Sequence, residues 1–268
     1  MAGDGWRGAV EAADLAGATV VHLAARVHEP RGAAEDFVHD NTEKTRFLAE
    51  AAAAAGAARF VFASTVKVHG EETHGDAFRP DSPASPADPY ALSKWRAEEA
   101  LREIAARTGL PVTIVRIPLT YGPGVGGNFR ALVRLADSGA WLPFATLRNR
   151  RSFVHVDDLA QALLLAATHP RAPGRAYLAA HPVPVATVDL VRTLRAALGR
   201  PARLFASPAF LLESTATLVG MGDRMRRLTR PLEADPQALM DELGWSPRVD
   251  IATGIPGTVA AFRAAGGP

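Results

Sequence analysis

Three short β-branched runs separated by two long helical patterns dominate the first half of the chain and restrict the folds open to it. Thr19–Ala25 (TVVHLAA), Arg59–Thr65 (RFVFAST) and Val112–Ile117 (VTIVRI) are near-continuous apolar runs, as in strands covered on both faces. A helix is expected from about Ala34 to Ala55, ended by Gly56, and another from Asp88 to Thr108, ended by Gly109. This βαβαβ order predicts an α/β fold with a doubly wound parallel sheet. Asp88 and Pro89 give the second helix a firm start, because Asp caps free amides and proline is pre-set for the first helical position. That start fixes the register of Tyr90.

After Tyr121-Gly-Pro-Gly124 the pattern changes to helices with short strands: Asn128–Ser138, Asp157–Thr168, Ala176–Ala179 as a strand, Val188–Leu198, Ala209–Val219 and Pro236–Leu243. A smaller, mainly helical C-terminal domain fits, giving residues 1–120 plus about 150–180 to the sheet domain, and 121–149 with 181–268 to the second. The proline-rich stretch Pro80–Pro86 reads as a polar loop over the site.

Composition narrows the classes of function. Thirty Lys and Arg face twenty-eight Asp and Glu, a formal charge of +2, with the arginines scattered, so nucleic acid is not an expected partner. No cysteine is present and the eight histidines lack ligand-like spacing, which leaves no disulfide framework and no expected metal site. The N-terminus lacks the features of a signal peptide, and alanine-rich stretches such as Leu48–Ala58 fall well short of the ~20 apolar residues that span a bilayer. No membrane partner is expected, and a cytoplasmic location fits best.

Tyr90 and Lys94 lie four apart on one helix, so both side chains can meet a common ligand, and an ammonium beside a phenol is expected to lower its pKa. Such pairs also arise by chance on amphipathic helices. Context selects the catalytic reading: the preceding strand ends in Ser64-Thr65, and the carboxyl ends of parallel strands form the ligand crevice.

Phe62-Ala-Ser-Thr-Val-Lys-Val-His-Gly70, Asp88-Pro-Tyr-Ala-Leu-Ser-Lys94, Tyr121-Gly-Pro-Gly124 and Arg151-Ser-Phe-Val-His-Val-Asp-Asp158, in this order, resemble the extended short-chain dehydrogenase/reductase group. Within it the NAD-dependent epimerases and dehydratases, and UDP-sugar 4-epimerases especially, are most similar; the likeness runs from about Asp4 to Pro247. The resemblance implies a Rossmann-type sheet with a substrate domain, NAD or NADP as cofactor, a UDP-sugar or related nucleotide sugar as substrate, and a homodimer. It gives Thr65 the hydrogen bond to the reacting sugar oxygen, Tyr90 the general acid/base role and Lys94 the nicotinamide ribose. Leu23, Ala24, Ala25, Asn41, Ser64 and Pro118 fall at cofactor-lining positions, and Asn128, Arg151 and Arg227 at positions that bind the nucleotide and its diphosphate. Each has a plainer reading: core for the apolar strand ends, a loop tether for Asn41, solvated surface for the arginines. Gly122–Asn128 reads as a loop crossing between domains, and Asp157-Asp158 as a helix start whose acids the dipole favours.

The sequence departs from the family twice. The opening strand, glycine-rich turn and helix that bind the pyrophosphate are absent; Thr19–Ala25 matches the fourth strand, so two βα units of about 55–65 residues are missing. Gly3-Asp4 is read as their remnant and truncation as the plainest cause, with an exposed sheet edge as the consequence. Secondly, Leu119 stands three residues after Arg116, where many 4-epimerases carry Asn, and Lys67 is unusual for a plain epimerase. Both resemble the branch that reduces UDP-4-keto-6-deoxy-hexosamines in polysaccharide synthesis. The expected chemistry is therefore redox at a sugar C4, by epimerisation or by net reduction; the alternative of another class is a non-catalytic remnant that binds sugar nucleotides or a partner.

Overall fold

The computed structural model describes residues 5–11, 13–27, 34–218 and 220–266; Gly3, Asp4 and Val219 lie outside them. Four strands, β1 (Thr19–His22), β2 (Arg59–Thr65), β3 (Val112–Ile117) and β6 (Ala176–Leu178), form a parallel sheet in the order β1-β2-β3-β6. Two more, β4 (Leu119–Tyr121) and β5 (Phe153–His155), make a separate parallel pair. The helices are α1 (Gly5–Glu11), α2 (Ala34–Phe37), α3 (Lys44–Ala54), α4 (Pro89–Thr108), α5 (Gly127–Asp137), α6 (Val156–Thr168), α7 (Thr187–Ala197), α8 (Ala209–Leu218), α9 (Gly222–Thr229), α10 (Gln237–Leu243) and α11 (Ile251–Ala264).

Alternation along the strands places helices on both faces. Phe60, Phe62, Val112 and Ile114 pack with Ala49 and Ala52 of α3 and Ala97, Leu101 and Ile104 of α4. Val61 and Val115 face the other way, onto Ala162 and Ala166 of α6 and Leu239 and Leu243 of α10. A third cluster joins Tyr121, Phe129 and Phe153 to α7 and α11. The expected α/β doubly wound class is what the chain adopts.

Three expectations need correction. The first strand ends at His22 rather than Ala25, because β2 offers it partners only from Arg59 to Phe62, and the chain then leaves the sheet. The helix expected over 34–55 is interrupted by a π-helical turn, Val38–Glu43. Its cause is local: Asn41 and Thr42 turn inward to bond Arg26 and Ser93, while Thr45 Oγ1 donates to the Asn41 carbonyl at 2.7 Å. Helix α11 was not anticipated, since Gly254, Pro256 and Gly257 interrupt its pattern. The Asp250 cap, accepting from Thr253 N at 2.8 Å, and burial of Ile251, Ile255, Val259 and Phe262 along one stripe outweigh those breakers.

Candidate active site

Thr65, the last residue of β2, pairs in register with Ile117 of β3, so its side chain stands at the carboxyl end of the sheet beside the buried Pro118. It caps a 3₁₀ turn over Val66–Val68, accepting from Lys67 N at 3.3 Å. Helix α4 starts where the sequence predicts: Asp88 Oδ1 accepts from Ala91 N at 2.7 Å, and Pro89 is the first helical residue. Tyr90 follows, with its hydroxyl near enough to the Thr65 side chain for Thr65 to favour the phenolate. The two hydroxyls named from the sequence thus meet at the crevice.

The electrostatics differ from the expectation. Burial pushes the Tyr90 phenol up to about 12, the neighbouring Thr65 hydroxyl opposes this, and the Asp88 charge adds to it; Lys94 is not among the causes. Lys94 sits one turn deeper and is only 1% exposed, its Nζ 3.9 Å from the centre of the Phe62 ring. Burial pulls its ammonium down to about 7, with Glu98 opposing. The spacing places both groups on one face, but the ammonium is spent on a ring face and a distant carboxylate rather than on the phenol.

Other expected cofactor residues divide. Ser64 donates to Glu98 Oε1 at 2.6 Å, so its hydroxyl is turned into α4 and away from the crevice. Asn41 is a tether: its Oδ1 accepts from Arg26 N at 2.7 Å, and its Nδ2 donates to Arg26 O and Ser93 Oγ at 3.0 and 2.9 Å. These bonds use most of an amide's capacity and hold the segment after β1 against α4. Leu23 is 58% exposed and Ala24 is also exposed, so neither is core; Ala25 is half-buried.

The arginines converge. Arg227 Nε lies 3.4 Å from Glu71 and its Nη2 3.7 Å from Asp88. Lys67 pairs with Asp88 and, at 2.5 Å, with Glu71. Arg151 donates to the Arg230 carbonyl at 2.8 Å, and burial pulls its guanidinium down to about 10, with Glu71 opposing and Arg227 assisting. Arg151 is therefore not a solvated surface residue. Asn128 lies apart, exposed on the first turn of α5 and bonded to none of the described residues. The Gly122 turn before it has φ 135°, and a Cβ there would stand 2.6 Å from Val156 Cγ1, so glycine is required.

Two groups here escaped the sequence reading. Lys67 stood out there only as unusual, without its partners Asp88 and Glu71. The buried pair Glu98–Arg116, at 2.8 Å, joins α4 to β3, and Arg116 Nη1 reaches His69 Nε2 at 2.9 Å. Arginine has no acceptor, so His69 accepts there and donates from Nδ1 to the Pro83 carbonyl at 3.2 Å. A charged residue inside the apolar run Val112–Ile117 was the signal available.

A nicotinamide cofactor fits part of this site. Lys94 is a buried ammonium that no described side-chain oxygen hydrogen-bonds, an arrangement suited to ribose hydroxyls beside Tyr90 and Thr65. The described residues before β1 contain no glycine-rich turn to cradle a pyrophosphate.

Known proteins share this chain's sequence and fold. The family model described as the NAD dependent epimerase/dehydratase family matches residues 9–180. A Vibrio cholerae protein named UDP-glucose 4-epimerase is 35% identical over 91% of this chain and 76% of its own length. A dTDP-glucose 4,6-dehydratase of Streptomyces griseus is 30% identical over 91% and 71%. The crystal structure of a Streptomyces venezuelae dTDP-glucose 4,6-dehydratase with NAD bound superposes with TM-score 0.76 at 27% identity, covering 96% of this chain and 76% of that one. A Bacillus cereus UDP-glucuronic acid 4-epimerase in complex with NAD, at 19% identity and TM-score 0.76, shares the fold. With the matched segment holding the sheet from β1 to β6 and the Thr65–Tyr90–Lys94 group, the chain belongs to the NAD-dependent epimerase/dehydratase family, enzymes of oxidoreductase and isomerase type that act on nucleotide sugars.

Proposed function

We propose that this chain acts at C4 of a nucleotide-linked hexose as a UDP-sugar 4-epimerase, with Tyr90 as the group that exchanges the proton of the C4 oxygen. The observation that carries this reading is the meeting of the Tyr90 and Thr65 hydroxyls at the carboxyl end of the sheet. Thr65 orients the sugar oxygen, and Lys94, one turn deeper, takes the cofactor ribose. NAD or NADP, when bound, supplies reversible hydride transfer at C4. Arg151 and Arg227 hold the diphosphate, because a guanidinium fork matches two phosphate oxygens, with Asn128 contributing from the exposed first turn of α5, apart from the two arginines.

A second reading, net reduction of a UDP-4-keto-6-deoxy-hexosamine, is favoured by the state of Tyr90. A phenol held near 12 is protonated at neutral pH, ready to give its proton to a ketone oxygen, whereas oxidation of an alcohol begins from the phenolate. Leu119 and Lys67 point the same way.

Incubation with UDP-hexoses separates the two. Interconversion of C4 epimers without net cofactor turnover supports the epimerase; NADPH consumption with a UDP-4-keto sugar supports the reductase. Tyr90→Phe is expected to abolish either activity while leaving the far-UV spectrum unchanged, and undiminished turnover would reject the proton-transfer role. We also propose a homodimer through the outer face of α4, where Leu92 and Arg96 line a cleft of about 660 Å³ with Val38 and His39.

A further inference from the structure

We propose that Lys67 is a positioning residue for Tyr90: it ties the turn that carries Thr65 to the cap of helix α4 and offsets the Asp88 charge beside the phenol. The proposal rests on reading Tyr90 as the proton-transfer group.

Lys67 touches both sides of the Thr65–Tyr90 contact. Its backbone N–H donates to Thr65 Oγ1 at 3.3 Å, and its ammonium binds Asp88 Oδ2. The other oxygen, Asp88 Oδ1, holds Ala91 N at 2.7 Å and so sets the first turn of α4, on which Tyr90 sits. One carboxylate therefore joins the helix to the turn, and Lys67 supplies the second half of that joint.

The same ammonium matters to the phenol through charge. Asp88 stays ionised below the usual carboxylate range: burial opposes this, but the Lys67 charge and hydrogen bond outweigh it, helped by Ala91 N and Glu71. Asp88 in turn raises Tyr90. The charged groups facing Asp88 are Lys67, Glu71 from the same loop, and Arg227 from α9, with Arg151 beyond Glu71. Arg227 stands 3.7 Å away and offsets part of the Asp88 charge in the ligand-free chain, while Lys67, bonded directly to Asp88 Oδ2, carries the larger share. Removal of Lys67 leaves the Asp88 anion with only the more distant Arg227 against it and makes the phenol's proton harder to remove.

The experiment reads the Tyr90 phenol directly on the ligand-free chain. The sequence holds three tyrosines, so with 3-fluorotyrosine incorporated, Tyr90→Phe assigns the Tyr90 fluorine resonance, and its shift is followed with pH. Lys67→Met is expected to raise the midpoint by about half a pH unit or more, the size of a unit charge acting through partly solvated space. Lys67→Arg should leave it near wild type. Lys67→Met combined with Asp88→Asn should return it to the wild-type value or below, since Asn keeps the capping oxygen without the charge. Should Lys67→Met not fold, Asp88→Asn alone carries the test by lowering the midpoint. An unmoved midpoint in Lys67→Met, an equal rise in the double variant, or no change in Asp88→Asn overturns the proposal. No turnover is needed, so absence of epimerase or reductase activity would count against the functional reading without touching this one.

Discussion

Lys94 is a charge where charge is least welcome. Its ammonium lies under the ring of Phe62 and beside His22, whose own imidazole is pushed down to about 4 by burial and by Lys94. With the folded-state pKa at about 7 against an ordinary 10.5, the folded chain binds fewer protons than the unfolded chain between those values. Stability therefore rises with pH across this window, and the full penalty of the buried charge is present below about 7. Lys94→Met keeps the volume and removes the charge, so it is expected to raise the melting temperature most at pH 6, with the gain shrinking by pH 9. Each kcal/mol recovered corresponds to roughly 2–4 °C in a chain of this size. Melting curves at both pH values check this, and a gain independent of pH would contradict the burial argument. The spacing of Tyr90 and Lys94 was legible because helical periodicity fixes which residues share a face. The direction of the Tyr90 shift was not, because periodicity carries no information on how deep each side chain lies.

Helix α4 is clamped to the sheet by charge as well as by Ala97 and Leu101. Glu98 accepts from Ser64 at 2.6 Å, from Arg116 at 2.8 Å and from Arg102 at 2.7 Å, and its carboxylate stays ionised because Arg116 and Ser64 outweigh burial. Through Arg116 the clamp reaches His69 and the Pro80 carbonyl, and so holds the Pro80–Pro83 loop against β3. Removing one partner leaves the other buried and unpaired: Glu98→Ala or Arg116→Ala is expected to cost about 3–5 kcal/mol. Glu98→Leu with Arg116→Met should lose much less than either, and denaturant titration of all three tests the clamp; near-additive losses would show that no pairing holds it. The apolar runs announced β2 and β3, and the Asp88-Pro89 start announced α4. What no local pattern shows is that Glu98 and Arg116, 18 residues apart, share one buried site, or that Asn41 spends its amide on Arg26 and Ser93 and opens a π-helical turn. Both depend on neighbours that only the folded sheet supplies.

The four-stranded sheet has two outer strands among the described residues, β1 and β6, and β1 is the one with large apolar side chains exposed. In the order β1-β2-β3-β6, β1 is an outer strand, with Val21 41% and Leu23 58% exposed and its far backbone groups without strand partners among the described residues. An apolar open edge is a template for another strand, so this chain is expected to self-associate there. That association is separable from the homodimer proposed through α4, whose cleft is lined by Leu92 and Arg96 and not by Val21 or Leu23. Val21→Lys with Leu23→Lys places charge on the edge, and these exposed substitutions should change folding stability by no more than about 0.5 kcal/mol each. Sedimentation velocity over a range of concentrations separates the two contacts. Wild type is expected to grow beyond a dimer as concentration rises, the edge variant to stop at a dimer, and the edge variant carrying Leu92→Glu to remain a monomer. Continued growth of the edge variant would place self-association on another surface, and a dimer that survives Leu92→Glu would remove the α4 face as its seam.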